Sequence, residues 1–327
     1  MNHALGDKFE SAILVATAAS ALHVEENIQE LWSGYGQIQR ISLTGSPHRT
    51  VVVKHVTMPT AQNHPRGWNS NLSHERKVFS YQVEAEWYQS WSSRCDERCR
   101  LPDSLAFARH EERVLLVLED LDASGFPLRL STVRQTQIEQ CLEWLAEFHA
   151  TFMQVEPKGL WNTGTYWHLE TRPNELEALD DLPLKSAAPE IDRILGRAQF
   201  QTFVHGDAKL ANFCFPESGD RVAAVDFQYV GGGCGMKDVA YFISSCLDES
   251  ACAAQEENLL DCYFNCLKQA LNRRQPIIDP EPVIAEWGEL YPVAWADFHR
   301  FLKGWCPSHW KINSYSERVT RDVIASL

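Results

Sequence analysis

The feature that most constrains this chain is a polar segment that leaves one predicted strand and enters a predicted hairpin. Residues 205–213 read HGDAKLANF, and the apolar run at residues 202–204 before them predicts a short strand. Residues 213–215 and 223–225 predict the two strands of the hairpin, with turn-forming residues 218–220 between them. The chain therefore has to place this polar segment where short strands begin and end.

Three side chains at these strand ends have the chemistry that phosphoryl transfer requires. Asn212 follows Asp207 by five residues, and Asp226 comes directly after the second strand of the hairpin. A carboxylate can accept the proton of an attacking hydroxyl, and carboxylate and amide oxygens bind Mg²⁺. A loop with incidental polar residues is the alternative interpretation, and the spacing disfavours it. We therefore predict that Asp207 assists the hydroxyl and that Asn212 and Asp226 bind the metal.

The N-terminal part of the sequence predicts three strands in succession. The β segment at residues 31–43 breaks at residues 34–36, Gly-Tyr-Gly, where a tight turn fits. Residues 50–56 carry the β-branched run of a buried strand. Residues 11–16 predict a helix that leads into the first strand, and residues 58–73 are rich in Pro, Asn, Gly and Ser and predict a loop.

The next segment, residues 74–91, predicts a helix that carries a buried carboxylate. Glu84 shares one helical face with the aromatic residues at i+3, i+4 and i+7, which are Trp87, Tyr88 and Trp91. A carboxylate on an aromatic face is buried and therefore needs a cationic partner. We predict that a lysine from another part of the fold pairs with Glu84.

The turn residues 122–125 mark the predicted boundary between two units, residues 1–120 and residues 121–327. The length of 327 residues fits one large domain or two medium ones. Residues 113–121 predict the last apolar strand of the first unit, and the second unit is mostly helical. Its predicted helices span residues 132–153 (capped by Ser131), 237–247, 256–271, 282–291 and 295–302.

Composition and charge exclude several classes of protein. The net charge of −14 disfavours a nucleic-acid partner, because phosphates require a basic surface. The sequence has no run of 18 or more apolar residues, so no membrane span is predicted. Acidic residues beside the apolar stretch at 11–16 argue against a signal peptide. Ten cysteines without a Cys-x-x-Cys pair argue against a zinc site and favour the cytoplasm as the predicted location.

The pattern His-Gly-Asp-x-x-x-x-Asn, followed by Val-Asp-Phe-Gln at residues 225–228, resembles the aminoglycoside phosphotransferase and choline kinase superfamily. Within it, the chain is most similar to the ecdysteroid kinase-like branch, over about residues 31–313. The resemblance implies an α+β, protein-kinase-like bilobal fold. It also implies an N-terminal antiparallel sheet plus helix, a mainly helical C-terminal lobe, and ATP and Mg²⁺ as cofactors.

The resemblance assigns a role to each of five matching residues. Asp207 would be the catalytic base or would orient the hydroxyl, and Asn212 and Asp226 would bind Mg²⁺. Lys54, on the predicted third strand, would hold the α- and β-phosphates. Glu84 would pair with Lys54, which agrees with the separate argument from the helical face.

Further assignments rest on the same resemblance. Gly34 and Gly36 would form the turn that covers the phosphates, and the backbone at Glu119 and Leu121 would contact the adenine. Lys209 would contact the γ-phosphate.

Three more features resemble this superfamily. Asp238 would brace the catalytic loop, and His149 would have a structural role. The segment from Gln228 to Asp238 is too short for a peptide-docking platform, which disfavours a protein kinase. The glycines at 231–235 are interpreted as a flexible activation segment rather than a second phosphate site.

The sequence therefore predicts an ATP-dependent kinase that transfers the γ-phosphate to a hydroxyl of a small molecule. The alternative is a nucleotide-binding pseudokinase that acts as a scaffold, and the presence of all five matching residues favours activity. The acceptor is an amino alcohol, an aminoglycoside or a sterol-like alcohol. The negative net charge favours a cation, whereas the family favours a bulky apolar alcohol. Most of the aromatic residues of the C-terminal lobe are expected to form its core. The oligomeric state is not predicted.

Overall fold

The structure, a computed structural model, describes residues 6–31, 34–57 and 71–327. Its N-terminal part is built on a five-stranded antiparallel sheet with the strand order β1-β2-β3-β5-β4. The strands are β1 (Ala21–Glu30), β2 (Gly36–Thr44), β3 (Thr50–Thr57), β4 (Ser104–His110) and β5 (Arg113–Glu119). Helix α1 (Asp7–Thr17) precedes the sheet, and helix α2 (Asn71–Glu86) comes between β3 and β4.

Side chains along β3 alternate between the two faces of the sheet, and each face packs against a different helix. Val51 and Val53 are fully buried in an apolar cluster with Phe9 and Ile13 of α1. Since successive side chains of a strand point to opposite faces, Lys54 lies on the other side of the sheet, the side on which α2 packs. The strand thus directs one charged side chain toward the interior of the molecule.

The C-terminal part is mainly helical. Its helices are α3 (Gln135–Thr151), α4 (Pro173–Glu177), α5 (Leu182–Gly196), α6 (Met236–Cys246), α7 (Glu249–Arg274), α8 (Pro280–Trp305) and α9 (Ser314–Ser326). Helix α3 packs on α7, and α8 packs on α5, α6 and α9. The large apolar core of these helices also contains Trp87 and Tyr88, so it extends to the end of α2. Among the described residues, none of the helices is both long and apolar enough to cross a membrane.

Two short antiparallel pairs lie between α5 and α6. Strand β7 (Phe213–Cys214) pairs with β8 (Ala223–Ala224), which confirms the predicted hairpin. Strand β6 (Thr202–Val204) was also predicted, and it pairs with β9 (Gly231–Gly233). The prediction of a flexible segment over the glycines is therefore wrong for β9. A Cβ at Gly231 would lie 2.2 Å from the Trp161 carbonyl oxygen, so these glycines permit close backbone packing.

The two edge strands of the sheet, β1 and β4, and the predicted loop at 58–73 differ from the prediction or lie partly outside the described residues. Strand β1 ends before Leu31, where the prediction began it, and residues 32–33 lie outside the described residues. Because β1 is an edge strand with mostly exposed side chains, it lacks the apolar pattern that identifies buried strands. Strand β4, the other edge, was not predicted. Of the predicted loop at 58–73, residues 58–70 lie outside the described residues, and residues 71–73 begin α2.

Several helix boundaries also differ. The predicted helix at 74–91 is present as α2 followed by a π-helical turn, Trp87–Trp91. Helix α3 begins after Arg134, whose backbone N–H donates to the Gln137 side chain at 3.0 Å, so the predicted cap at Ser131 is wrong. Helix α7 is longer than predicted, and α5 and α9 were missed.

The two helices predicted at 282–291 and 295–302 are one continuous helix, α8, which runs through Pro292. Proline in a helix interior costs about 3 kcal/mol. Buried residues on both sides of it, among them Trp287 and Trp295, pack into the same core, so tertiary burial outweighs this cost.

Candidate active site

The Asp238 carboxylate, on α6, accepts hydrogen bonds from the backbone of the loop between β6 and β7. The backbone N–H groups of His205 and Gly206 donate to Asp238 Oδ2 at 2.5 Å and Oδ1 at 2.9 Å. His149 Nε2 lies 3.2 Å from the same carboxylate, and its Nδ1 lies 2.7 Å from the Tyr263 hydroxyl. Asp238 therefore braces the loop, and His149 contacts Asp238 in a structural role, as the family resemblance implied. The side chains of Asp238, His149 and Tyr263 are all buried.

Gly206 allows the loop to turn sharply. Its φ is +80°, and a Cβ at this position would lie 2.1 Å from the Tyr229 carbonyl oxygen. Any other residue would combine an unfavourable backbone conformation with a steric clash. The turn directs the next residue, Asp207, into the interior.

Asp207 is buried and accepts three side-chain hydrogen bonds. Its Oδ1 accepts from the Tyr241 hydroxyl at 3.1 Å. Its Oδ2 accepts from Lys209 Nζ at 2.9 Å and from Asn212 Nδ2 at 3.1 Å. Burial raises the pKa of Asp207, and the Lys209 ammonium opposes that rise. The carboxylate is thus oriented on both sides by groups of the same loop and of α6.

Asn212 and Asp226 present oxygen atoms suited to a hard cation. In the described part of the chain, the side-chain bonds of Asn212 use only Nδ2, so its Oδ1 remains available to a ligand. Asp226 has a φ of +70°, and its Oδ1 accepts from Gln228 Nε2 at 2.6 Å. Burial raises the pKa of Asp226, but nearby lysines, chiefly Lys54 and Lys77, outweigh burial and hold it below its usual range.

These two residues fit Mg²⁺, which takes carboxylate and amide oxygens and usually keeps ligands from phosphates and water. Within residues 6–31, 34–57 and 71–327, no group of three or more His, Cys, Asp or Glu side chains could hold a metal alone. A cation here would therefore need phosphate oxygens as well as the two protein ligands.

Lys54 and Glu84 form the predicted ion pair. Lys54 Nζ lies 2.5 Å from Glu84 Oε2, and each side chain is almost fully buried. The aromatic face predicted around Glu84 is also present, with Trp87 and Tyr88 buried beside it. Burial raises the pKa of Glu84, and the charge of Lys54 opposes this rise.

A second lysine of the site, Lys77 on α2, was missed by the sequence analysis. Its Nζ donates to Gln228 Oε1 at 2.8 Å, and Gln228 in turn donates to Asp226. Burial lowers the pKa of Lys77 to about 8, and the charge of Lys54 adds to this effect. Lys77 precedes Glu84 by seven residues, which is two helical turns, so its position on the same face was a usable signal.

A cleft of about 530 Å³ lies between the sheet and the C-terminal lobe. Its walls include Lys54, Glu84, Asn212 and Asp226. These four residues, predicted from separate parts of the sequence, therefore line one cavity. Glu119 and Leu121 also line it, and the Glu119 carboxylate lies 2.5 Å from the Arg100 guanidinium.

The two predicted glycines occupy different surroundings. Neither Gly34 nor Gly36 belongs to the lining of the cleft among the described residues. A Cβ at Gly36 would lie 1.9 Å from the His55 carbonyl oxygen, so Gly36 is needed for pairing between β2 and β3. Gly34 has a φ of +75° and open space around it, which suits an exposed turn.

Arg40 of β2, also missed by the sequence analysis, ties the sheet to the segment after β5. Its guanidinium donates to Asp120 Oδ2 at 2.8 Å and to Asp122 Oδ2 at 2.5 Å, and it also pairs with Glu26. Thr50 donates to the same Asp120 oxygen at 2.7 Å. These bonds fix the backbone that the resemblance assigns to adenine.

A second cavity, of about 360 Å³, lies on the other side of Asp207. Asp207 and Lys209 form part of its wall, and most of the rest is aromatic or apolar. The other lining residues are Tyr166, Tyr229, Tyr241, Phe298, Leu302, Trp305, His309 and Lys311.

Most aromatic residues of the C-terminal lobe form its core, as predicted. Trp167, Trp287, Trp295, Tyr263 and Tyr291 are buried. Five aromatic residues line the second cavity, namely Tyr166, Tyr229, Tyr241, Phe298 and Trp305, and Trp305 is 56% exposed. Part of the aromatic content of the lobe is therefore placed at the candidate acceptor pocket.

Part of the chain resembles one protein family in sequence. The profile of the Ecdysteroid kinase-like family matches residues 164–275, a stretch that contains the loop, Asp226 and Asp238. The predicted family resemblance is thereby confirmed over this stretch. No curated protein sequence matches the chain.

The chain is also similar to several solved structures. Choline kinase from Cryptosporidium parvum Iowa II is 12% identical, with a TM-score of 0.52 over 94% of this chain and 89% of that one. An aminoglycoside phosphotransferase from Streptomyces rimosus ATCC10970 is 14% identical, with a TM-score of 0.46 over 87% and 97%. The microcompartment-associated aminopropanol kinase is 11% identical, with a TM-score of 0.48 over 98% and 94%. The likeness to choline kinase confirms the predicted kinase-like fold.

Proposed function

We propose that this protein is an ATP-dependent kinase that transfers the γ-phosphate of ATP to a hydroxyl of a small molecule. The observation that carries the proposal is the contact between Asn212 Nδ2 and Asp207 Oδ2, at 3.1 Å. Asn212 lines the cleft between the lobes, and Asp207 lines the second cavity. A nucleotide in the cleft and an alcohol in the second cavity would therefore meet at this contact.

The cleft supports nucleotide binding through both charge and shape. Lys54 is held by Glu84 so that its ammonium faces the cleft, where it can bind the α- and β-phosphates. The backbone from Glu119 to Leu121 is fixed by Arg40 through Asp120 and can contact the adenine. Gly34 can cover the phosphates, whereas Gly36 has a structural role.

Asn212 Oδ1 and the Asp226 carboxylate would hold Mg²⁺. When bound there, Mg²⁺ would supply positive charge that offsets the negative charge developing during transfer. Lys77 fixes Gln228, and Gln228 orients Asp226 by donating to its Oδ1. The ionised state of Asp226 is maintained by the surrounding lysines.

The loop residues act on the acceptor. The acceptor oxygen forms a bond to the γ-phosphorus while the bond from that phosphorus to the β–γ bridging oxygen breaks. Asp207 orients the hydroxyl and takes its proton, and the products are ADP and a phosphate monoester. Lys209 Nζ, 2.9 Å from Asp207, is placed to contact the transferred group.

A nucleotide-binding scaffold without transferase activity is the second candidate. Such a protein would not need an oriented carboxylate in a cavity separate from the nucleotide cleft, and Asp207 is oriented by three donors. A protein kinase is disfavoured because the segment before Asp238 is short and pairs as β9 with β6.

The test is acceptor-dependent release of ADP. The protein is incubated with Mg-ATP and pools of amino alcohols, aminoglycosides, sterols and apolar alcohols with an acidic group, and ADP is measured for the wild type and Asp207→Asn. Asp220→Asn, the same chemical change at an exposed hairpin turn, is the matched control. ADP release that needs an acceptor and is lost only in Asp207→Asn supports the kinase. If no pool gives ADP release although the protein still binds the nucleotide, the result supports the scaffold.

A further inference from the structure

Lys311 is a buried cation without a carboxylate partner. Three lysines are buried in the described part of the chain: Lys54, Lys237 and Lys311. Lys54 pairs with Glu84 at 2.5 Å, and Lys237 lies 3.6 Å from the Asp297 carboxylate. Among the residues that the structure describes, no Asp or Glu oxygen lies within 4.0 Å of Lys311 Nζ.

The contacts that Lys311 does make leave its charge uncompensated. Its Nζ donates to Ser244 Oγ at 3.3 Å and lies 4.8 Å from the ring centroid of Tyr241 and 5.3 Å from that of Phe298. The attraction of a cation to aromatic faces is weak compared with the free-energy cost of burying an unpaired charge. A partner of negative charge would remove this imbalance.

The cavity beside Asp207 contains no other group that could supply that charge. Asp207 is the one carboxylate in the lining made by the described residues, and it already pairs with Lys209. The lining also contains the bases Lys209 and His309, and burial lowers the pKa of His309, with the charge of Lys311 adding to the effect. The missing anion therefore has to come from a ligand.

The remaining wall indicates the shape of that ligand. Phe298, Leu302 and Trp305 supply apolar surface to the cavity. The Trp305 ring stacks on Phe301 with centroids 5.7 Å apart and an interplanar angle of 12°, yet more than half of its surface is exposed. The ring also contacts His309, with centroids 6.1 Å apart, and a flat apolar body can pack on its exposed surface.

We propose that the acceptor is an apolar alcohol that carries an anionic group, a carboxylate, sulfate or phosphate, which pairs with Lys311 while its hydroxyl lies at Asp207. This inference rests on the proposed function, because it names the substrate class of the same site. It disfavours aminoglycosides and amino alcohols, whose cationic groups would be repelled by Lys311 and Lys209.

Three matched alcohols test the proposal in the full-length protein with Mg-ATP. They are 4-(hydroxymethyl)benzoate, its neutral methyl ester, and the cationic 4-(aminomethyl)benzyl alcohol. Wild type should phosphorylate the benzoate with the highest kcat/KM. Lys311→Met should lower the benzoate-to-ester ratio of kcat/KM by about 10-fold to 100-fold, the value of a charge-assisted hydrogen bond. Lys158→Met, the same change at an exposed lysine, should keep the wild-type ratio.

Equal kcat/KM values for the three alcohols in the wild type, or an unchanged ratio in Lys311→Met, would overturn the proposal. A fall in kcat by one common factor for all three alcohols would also overturn it, because Lys311 would then bind the transferred phosphoryl group instead.

A binding measurement separates failure of this inference from failure of the proposed function. Titration calorimetry in the absence of ATP should show tighter binding of the benzoate than of the ester, and Lys311→Met should abolish the difference. If the benzoate binds in this way and no ADP forms, the kinase proposal fails and the anion site stands. If the two compounds bind equally, the anion site fails whatever the activity.

The pH dependence gives a third readout. Burial lowers the pKa of Lys311 to about 8, so its charge is lost as the pH rises above that value. The other charged or titratable groups that interact with Lys311, from the segments packed around it, are Asp207, Lys209, Cys246, Cys252 and His309. The KM for the benzoate should rise between pH 7 and pH 9, whereas the KM for the ester should not. Parallel KM profiles for the two compounds would contradict the assignment.

Discussion

Lys54 Nζ and Glu84 Oε2 lie 2.5 Å apart, and each of the two side chains exposes only 6% of its surface. The pair joins β3 to α2 at the wall of the cleft that is proposed to bind the nucleotide. It therefore combines two tasks, because the same ammonium that is proposed to hold the phosphates also compensates a buried carboxylate.

Replacing one partner of this pair should separate the two tasks. Lys54→Met leaves Glu84 buried without a counter-charge, so the free energy of unfolding should fall by about 3–5 kcal/mol and turnover by orders of magnitude. The double variant Lys54→Met/Glu84→Gln should recover most of the stability and none of the activity. Urea denaturation and ADP release measure the two effects. Normal turnover in Lys54→Met would show that the lysine does not hold the phosphates.

Lys209→Met should shift the acid limb of the pH profile. Asp207 has to be ionised to accept a proton, and the Lys209 ammonium opposes the rise in its pKa that burial causes. Without this cation the pKa of Asp207 rises further, so kcat/KM should begin to fall at a higher pH than in the wild type. The measurement is kcat/KM against pH for a neutral acceptor, with Lys158→Met as the control. An acid limb that stays in place would argue against Asp207 as the base.

Gly206→Ala should disrupt the catalytic loop, and Gly196→Ala provides a matched control. At Gly206 the φ is +80° and a Cβ would clash with the Tyr229 carbonyl, so we expect a loss of more than about 2 kcal/mol of stability. At Gly196, the last residue of α5, a Cβ meets no atom within 4 Å, and stability should stay equal or rise slightly. Thermal unfolding of the two variants is the comparison, and equal melting temperatures would refute it.

Asp226→Asn should weaken the dependence of nucleotide binding on magnesium. The carboxylate is proposed to hold the cation together with Asn212, and an amide is a weaker ligand than a carboxylate. We expect the affinity for ATP with Mg²⁺ to fall toward the value without the metal, while metal-free binding is unchanged. Nucleotide titrations with and without Mg²⁺ measure this, with Asp220→Asn as the exposed control. Retention of the full magnesium effect would remove Asp226 from the metal site.

The part of the site that sequence alone could predict is the part that depends on local structure. Asp207, Asn212 and Asp226 lie on one loop and one hairpin, so their spacing already places them together. Glu84 was identified because helical periodicity shows which face is buried. Tyr241 and Lys311 could not be found in this way, because each reaches the cavity only through packing of distant helices.

The errors in the fold have a similar origin. Strand β1 is exposed along most of its length, so it has no apolar alternation to detect. The glycines of β9 form a strand because backbone from two sides approaches them closely, which overrides their low intrinsic preference. Pro292 lies inside α8 because the core on both sides of it is continuous. Each outcome was decided by neighbours that are remote in sequence.

The division into two cavities has a consequence for how proteins of this fold could diversify. Half of the residues that line the second cavity come from the short stretch 298–311, far along the chain from the loop that carries Asp207. Under the proposed function, mutations in this stretch would alter the molecule that is recognised and leave the residues proposed to bind ATP unchanged. A gene lineage with this architecture could then acquire new substrates through changes in one segment.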